Sequence, residues 1–137
     1  MYEREVKRKI ISGDHLTSAI RRGVDKLADT VKTTMGPKGK LVLIQRPEAH
    51  PIVTKDGVTV ANAINLVDEV ENLGARVIKE SASRTADDAG DGTTTATVLA
   101  QSIYTKGLQM VAAGFETEGL KAGIEKGVSI ALESLES

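Results

Sequence analysis

The segment Asp87-Asp88-Ala89-Gly90-Asp91-Gly92-Thr93-Thr94-Thr95 gathers residue types suited to holding a phosphate and a cation together. Glycines at 90 and 92 let a backbone approach a ligand closely, and a helix starting at the threonines would offer unbonded amides and the positive end of its dipole to an anion. Three successive threonine hydroxyls add donors. Because β-branched residues are mediocre helix formers, their cluster at a first turn suits capping or ligand contact. Asp91 would be repelled by phosphates unless a divalent cation such as Mg²⁺ lay between them. The same loop could equally be a plain turn in which Asp91 caps a helix. A calcium loop would want oxygen ligands where Ala89 and Val98 stand, a Walker-type loop would need Gly-Lys before Ser or Thr, and a dinucleotide fingerprint would need glycine at Thr95.

Two other turns carry candidate chemistry. Thr34-Met35-Gly36-Pro37-Lys38-Gly39 combines a helix end with two glycines and a proline, and by itself reads as a helix stop and turn. Thr54-Lys55-Asp56-Gly57 could be a strand-to-helix turn capped by Asp56; alternatively Lys55 could neutralise phosphate and Asp56 could orient water or hold a cation. His15 and His50 stand alone in polar and proline-rich surroundings and fit surface positions better than metal ligands. With no cysteine and no Gly-x-Ser-x-Gly elbow, nucleophilic catalysis has no candidate.

The elements that must hold these turns are mainly helical. Leu16, Ala19, Ile20, Gly23, Val24, Leu27, Ala28 and Val31 follow helical spacing from Asp14 and predict an amphipathic helix that stops at Gly36-Pro37. Leu41 to Ile44 and Ile52 to Thr54, separated by a break from Pro47 to Pro51, predict a β-hairpin. A short helix is expected from Asp56-Gly57 to Ile64, then a long one with Val67, Val70, Gly74, Val77, Ile78, Ala82 and Ala86 on one face. Another should begin within Thr93 to Thr95 and bury Ala96, Leu99, Ala100, Ile103 and Met110. After a turn at Gly114, the last should carry Leu120, Ile124, Val128, Ala131 and Leu135. The fold class expected is a bundle of long amphipathic helices with one small hairpin.

Bulk properties agree with that class and exclude others. The 137 residues suffice for one core, and 40% hydrophobic with 27% charged residues fits a globular chain. Tyr2, Tyr104 and Phe115 are the whole aromatic complement, so the core must be aliphatic. A formal charge of -1 gives no broad attraction for nucleic acid or anionic lipid, and no apolar run is long enough to span a bilayer. Lys7-Arg8-Lys9 and Arg21-Arg22 read as solvated faces, and residues 1–9 lack an export signal.

Taken in order, Thr34 to Gly39, Thr54 to Val60 and above all Ala89-Gly90-Asp91-Gly92-Thr93-Thr94-Thr95-Ala96-Thr97-Val98-Leu99-Ala100-Gln101 resemble the nucleotide-binding segments of the group I chaperonins, the GroEL and mitochondrial type. The similarity also runs through Arg22-Gly23-Val24, Glu71 to Ala75, Val111 to Gly114 and Leu120 to Ile124, and so covers nearly everything after about Ser12. It implies an ATP-hydrolysing protein that assists folding, with residues 1–137 as the N-terminal portion of its equatorial domain. Thr34, Met35, Gly36 and Pro37 would line the nucleotide, Lys55 would meet its phosphates, Asp56 would stand near the attacking water, and Asp91 would bind Mg²⁺. Gly92, Thr93, Thr94 and Thr95 would hold phosphate at the helix start. The family also uses K⁺.

The resemblance further implies partners. The hairpin over 41–54 would reach a neighbouring chaperonin subunit, whose terminal strand would correspond to Glu5 to Ile10, while co-chaperonin and unfolded clients would be met only by domains beyond Ser137. Neither nucleic acid nor membrane is expected, and a cytoplasmic or organelle-matrix location is. Met35 in place of the family's usual leucine, and the tip Arg46 to Pro51, depart from the pattern. Without the intermediate, apical and returning equatorial parts, the segment should hydrolyse ATP negligibly. The competing reading is a structural or assembly module that makes subunit contacts without ATP turnover.

Overall fold

Helix α1 (Gly13–Lys32) forms where small and aliphatic residues recur at three- and four-residue intervals, and it buries Ala19, Gly23, Val24, Leu27, Ala28 and Val31. The computed structural model describes residues 10–137, which divide into two compact units after Gln101. The expected strand Glu5 to Ile10 therefore falls almost wholly outside the described residues, and Ile10 itself is exposed and irregular. Helix α1 ends at Lys32, short of the Gly36-Pro37 stop read from the sequence. The Thr33 and Thr34 hydroxyls donate to the carbonyls of Thr30 and Val31, each at 2.7 Å, and their amides bond to the same two carbonyls. This local bonding tightens the last turn and lets the chain leave the helix early.

Helix α1 packs on α3 (Glu69–Ala89) in the first unit. Asp68 starts α3 by accepting from the amides of Val70 and Glu71, and Gly90 ends it in the left-handed conformation. The two helices meet backbone to backbone. A Cβ on Gly23 would stand 1.7 Å from the Glu71 carbonyl oxygen, and one on Gly74 would stand 2.1 Å from that of Ile20. Only hydrogen fits at either place. The Glu71 side chain then bridges the helices, accepting from Lys26 Nζ at 2.5 Å and Arg22 Nε at 2.8 Å. Hydrogen bonds from Lys26 and then Arg22 hold its carboxyl below the usual glutamate range.

The buried face of α3 comprises Glu71, Gly74, Ala75, Ile78 and Ala82, which corrects the expected face. Val67 precedes the helix and is exposed, as is Val77, because the glycine contact rotates the helix toward the 71/74/78 line. Short helix α2 (Gly57–Ala63) covers α1 and α3 with Val60 and Ala61. Lys79 of α3 closes its far end by donating to the carbonyls of Asn62 and Ile64. Burial, and secondarily Arg76, pushes the Lys79 pKa down.

Strands β1 (Val42–Arg46) and β2 (Ala49–Thr54) form an antiparallel hairpin pairing Val42 with Thr54, Leu43 with Val53 and Ile44 with Ile52. The expected break from Pro47 to Pro51 shrinks to Pro47-Glu48, since the ladder resumes at Arg46 and Ala49. The register shifts beyond Ile44, opposite Pro51, which has no amide to give a regular ladder. Arg46 steadies this irregularity by donating twice to the His50 carbonyl.

Helix α4 (Thr93–Ala112) belongs to the first unit through Gln101 and buries Thr97 and Gln101, not the expected apolar set: Ala96 and Ala100 are half-buried, while Leu99, Ile103 and Met110 are exposed. In the second unit a turn with Gly114 at φ 94° joins α4 to α5 (Thr117–Glu136), where Leu120 lies 3.6 Å from the position a Cβ on Gly107 would take. No residue of α5 is buried, so the face of Ile124, Val128 and Leu135 is open. Among the described residues no helix is long and apolar enough to cross a membrane.

Gly74→Ala is expected to lower stability by about 1–3 kcal/mol, the cost of forcing packed elements apart, read as a reduced urea midpoint. Because the Glu71 pKa is lower in the folded state than in the unfolded one, its contribution is fully present above about pH 4.3 and is lost as pH falls through the folded value. The melting difference between the chain and its Glu71→Gln variant should therefore shrink on acidification below about pH 4.3.

Candidate functional site

The start of α2, the turn after α1 and the start of α4 meet at Gly57. A Cβ there would lie 2.2 Å from the Thr94 hydroxyl, 3.3 Å from Val31 Cγ1 and 3.4 Å from the Thr34 hydroxyl. Residues from the three sequence turns thus stand side by side. Gly57 has room for hydrogen alone beside Thr94, and that absence of a side chain is what brings the threonine against the 34 and 56 turns.

The helix starts at this junction are finished differently. Asp56 caps α2: Oδ2 accepts from the Thr59 amide at 2.9 Å and the Thr59 hydroxyl at 2.5 Å, and Oδ1 accepts from the Val58 amide at 3.4 Å. The Thr59 hydroxyl and then its amide hold the Asp56 pKa below the ordinary value, so the carboxylate stays charged and is a weak base. Among the described residues, helix α4 shows no such cap. Gly92, at φ 79°, supplies the carbonyl for the Ala96 amide and offers no side chain. Among the described residues, nothing bonds to the amides of Thr93, Thr94 and Thr95. Three unbonded donors stand at the positive end of a long helix, the arrangement that accepts an anion.

The remaining predicted residues fall on the same turns. Thr34 is buried with its hydroxyl donating to Val31, whereas Met35, Gly36, Pro37 and Lys55 are exposed. Gly36 takes φ 76°, and the Gly39 amide bonds its carbonyl at 2.9 Å, closing the turn. Asp91 is exposed and accepts from the Gly92 amide through Oδ1 at 2.6 Å; its other oxygen has no bonded partner among the described residues. That free oxygen beside the α4 start suits a hard cation, and Mg²⁺ commonly takes one or two carboxylates with phosphate and water. Among the described residues no three acidic or histidine side chains cluster, so Asp91 would act with the ligand's own oxygens.

Sequence similarity decides the family. Residues 27–137 match the TCP-1/cpn60 chaperonin family. The chain belongs to that family. Among solved chaperonins it is similar to gp146 from the bacteriophage EL 2 (Pseudomonas aeruginosa), crystallised in the presence of ATP-BeFx, with 35% identity and TM-score 0.67 over 85% of this chain and 20% of that one. A second crystal form of the same chaperonin gives 40% identity and TM-score 0.64 over 69% of this chain and 17% of that one. A group III chaperonin in the open state gives 27% identity and TM-score 0.73 over 86% of this chain and 23% of that one. This chain thus spans about a fifth of the length of the chaperonins it matches, with the helical architecture and small hairpin of an equatorial-domain fragment.

Three residues around this junction carry roles not read from the sequence. Thr59 orients Asp56, and Thr97 and Gln101 form the buried side of α4. The signals were present: threonine three residues after a capping aspartate, and the polar line Thr93, Thr97, Gln101 at four-residue spacing. Two hollows elsewhere, at the starts of α1 and α3 around Ile11, Val70 and Arg22, contain none of the predicted residues. For the junction itself, Gly57→Ala should displace the Thr94 hydroxyl and cost about 1 kcal/mol. Shifted Thr94 and Thr95 amide resonances would report it, and unchanged resonances would contradict the contact.

Proposed function

We propose that the chain is the nucleotide-binding N-terminal portion of a group I chaperonin equatorial domain, working among like subunits that couple Mg-ATP to protein folding. The observation that carries this reading is the meeting of Thr34, Gly57 and Thr94 beside the uncapped start of α4. The phosphates would lie on the amides of Thr93, Thr94 and Thr95 with Gly92 allowing close approach, and Lys55 would add positive charge. Thr34, Met35, Gly36 and Pro37 would border the rest of the nucleotide. Mg²⁺, held by Asp91, would neutralise phosphate charge. Asp56 would orient water electrostatically, since a lowered pKa makes it a poor proton acceptor.

Support for a subunit contact comes from the hairpin, whose Leu41, Leu43 and Val53 are exposed at 63%, 66% and 58%. The open face of α5 would be covered by further parts of a chaperonin subunit. We place such a protein in the cytoplasm or an organelle matrix.

Titration of the chain with Mg-ATP should give weak, saturable shifts of the Gly92 to Thr95 amide resonances, with negligible turnover. Asp91→Ala should weaken that binding about tenfold, the size expected for one lost charge-assisted contact. Identical titrations for both proteins, or shifts confined elsewhere, would defeat the reading.

A further inference from the structure

We propose that Gln101 is a positioning residue, a neutral clamp between two α1 carboxylates that sets where the phosphate-binding start of α4 stands; this rests on the nucleotide reading above. Its Nε2 donates to Asp25 Oδ1 at 2.7 Å and to Asp29 Oδ1 at 3.2 Å, so both amide hydrogens are engaged. The two aspartates lie one turn apart on α1, where like charges repel, and a shared donor relieves that repulsion. Arg21 pairs with Asp25 at 3.7 Å and Lys32 with Asp29 at 3.5 Å, the charged partners of the two aspartates among the described residues.

No fully buried apolar side chain of α4 performs this docking among the described residues. The buried residues of α4 are Thr97 and Gln101, and Leu99 remains 56% exposed. Thr97 donates within its own helix to the Thr93 carbonyl at 2.9 Å, while Gln101 bonds across to α1. Gln101 sits about 12 Å along the helix from Thr93, at about 1.5 Å per residue. A segment held at Gln101 below and by Thr94 against Gly57 above is kept from sliding along its axis and from swinging away from α1. Loosening the lower point therefore moves Thr94 and the open amides.

The test uses the full chain and Mg-ATP, read at the Gly92 to Thr95 resonances. Gln101→Glu replaces the donor by a third carboxylate; it should stay folded by circular dichroism, shift the Thr94 resonance and raise the Kd about tenfold. The triple variant D25N/D29N/Q101E reverses donors and acceptors and should restore both readouts, the Kd to within about twofold. If Gln101→Glu does not fold, Gln101→Met, of similar length and uncharged, should show the same changes in smaller degree. A native Kd and native Thr94 resonance in the folded variant, or no recovery in a folded triple variant, overturns the clamp. Should the unmodified chain show no Mg-ATP response, the nucleotide reading fails instead. The clamp is then judged on the Thr94 resonance: displacement in Gln101→Glu with reversal in the triple variant supports it, and an unmoved resonance overturns it.

Discussion

Two α-helices here touch through their backbones, and the site is built outward from that contact. Gly23 faces the Glu71 carbonyl and Gly74 faces that of Ile20, each at a separation no methyl group would tolerate. Close approach brings Ala28, Ala75 and Ala82 into full burial without large side chains, which suits a chain almost devoid of aromatics. The turn holding Thr34 follows α1, and the loop holding Asp91 follows α3. Fixing the crossing thus fixes the points from which both segments leave.

Polar contacts then finish what apolar packing begins. Glu71 ties the crossing through Arg22 and Lys26, Lys79 closes α2, and Gln101 joins α4 to α1. Among the described residues no buried side-chain polar atom lacks a partner. The starts of α2 and α3 are closed by an aspartate, whereas those of α1, α4 and α5 have no side-chain cap among the described residues; the uncapped start of α4 is the one that lies beside Gly57 and Thr34. With Gly92 at its start, α4 keeps three unbonded amides at the place where the three turns meet.

Much of this was legible in the residues. Spacing located the five helices and the hairpin of the described residues, because aliphatic periodicity and Gly-Pro punctuation are local signals. Faces were less legible. Val77 looked like core but is exposed, whereas Glu71 is buried, since the α1 glycine that accepts α3 determines the rotation and lies 48 positions away in the chain (71 minus 23). Helix α4 misled for a related reason: its aliphatic residues suggest a greasy seam, yet its buried residues are Thr97 and Gln101, with Gln101 donating to Asp25 and Asp29 of α1. The candidate site was visible as three turns, while their meeting at Gly57 depends on a steric contact no single segment contains.

The most direct test is a crystal structure of the chain, or of a longer protein containing it, with Mg²⁺ and a non-hydrolysable ATP analogue. The account predicts phosphate oxygens on the amides of Thr93, Thr94 and Thr95, with the metal on Asp91 and Gly57 against Thr94. A nucleotide seated elsewhere, with those three amides bonded to water alone, would contradict it.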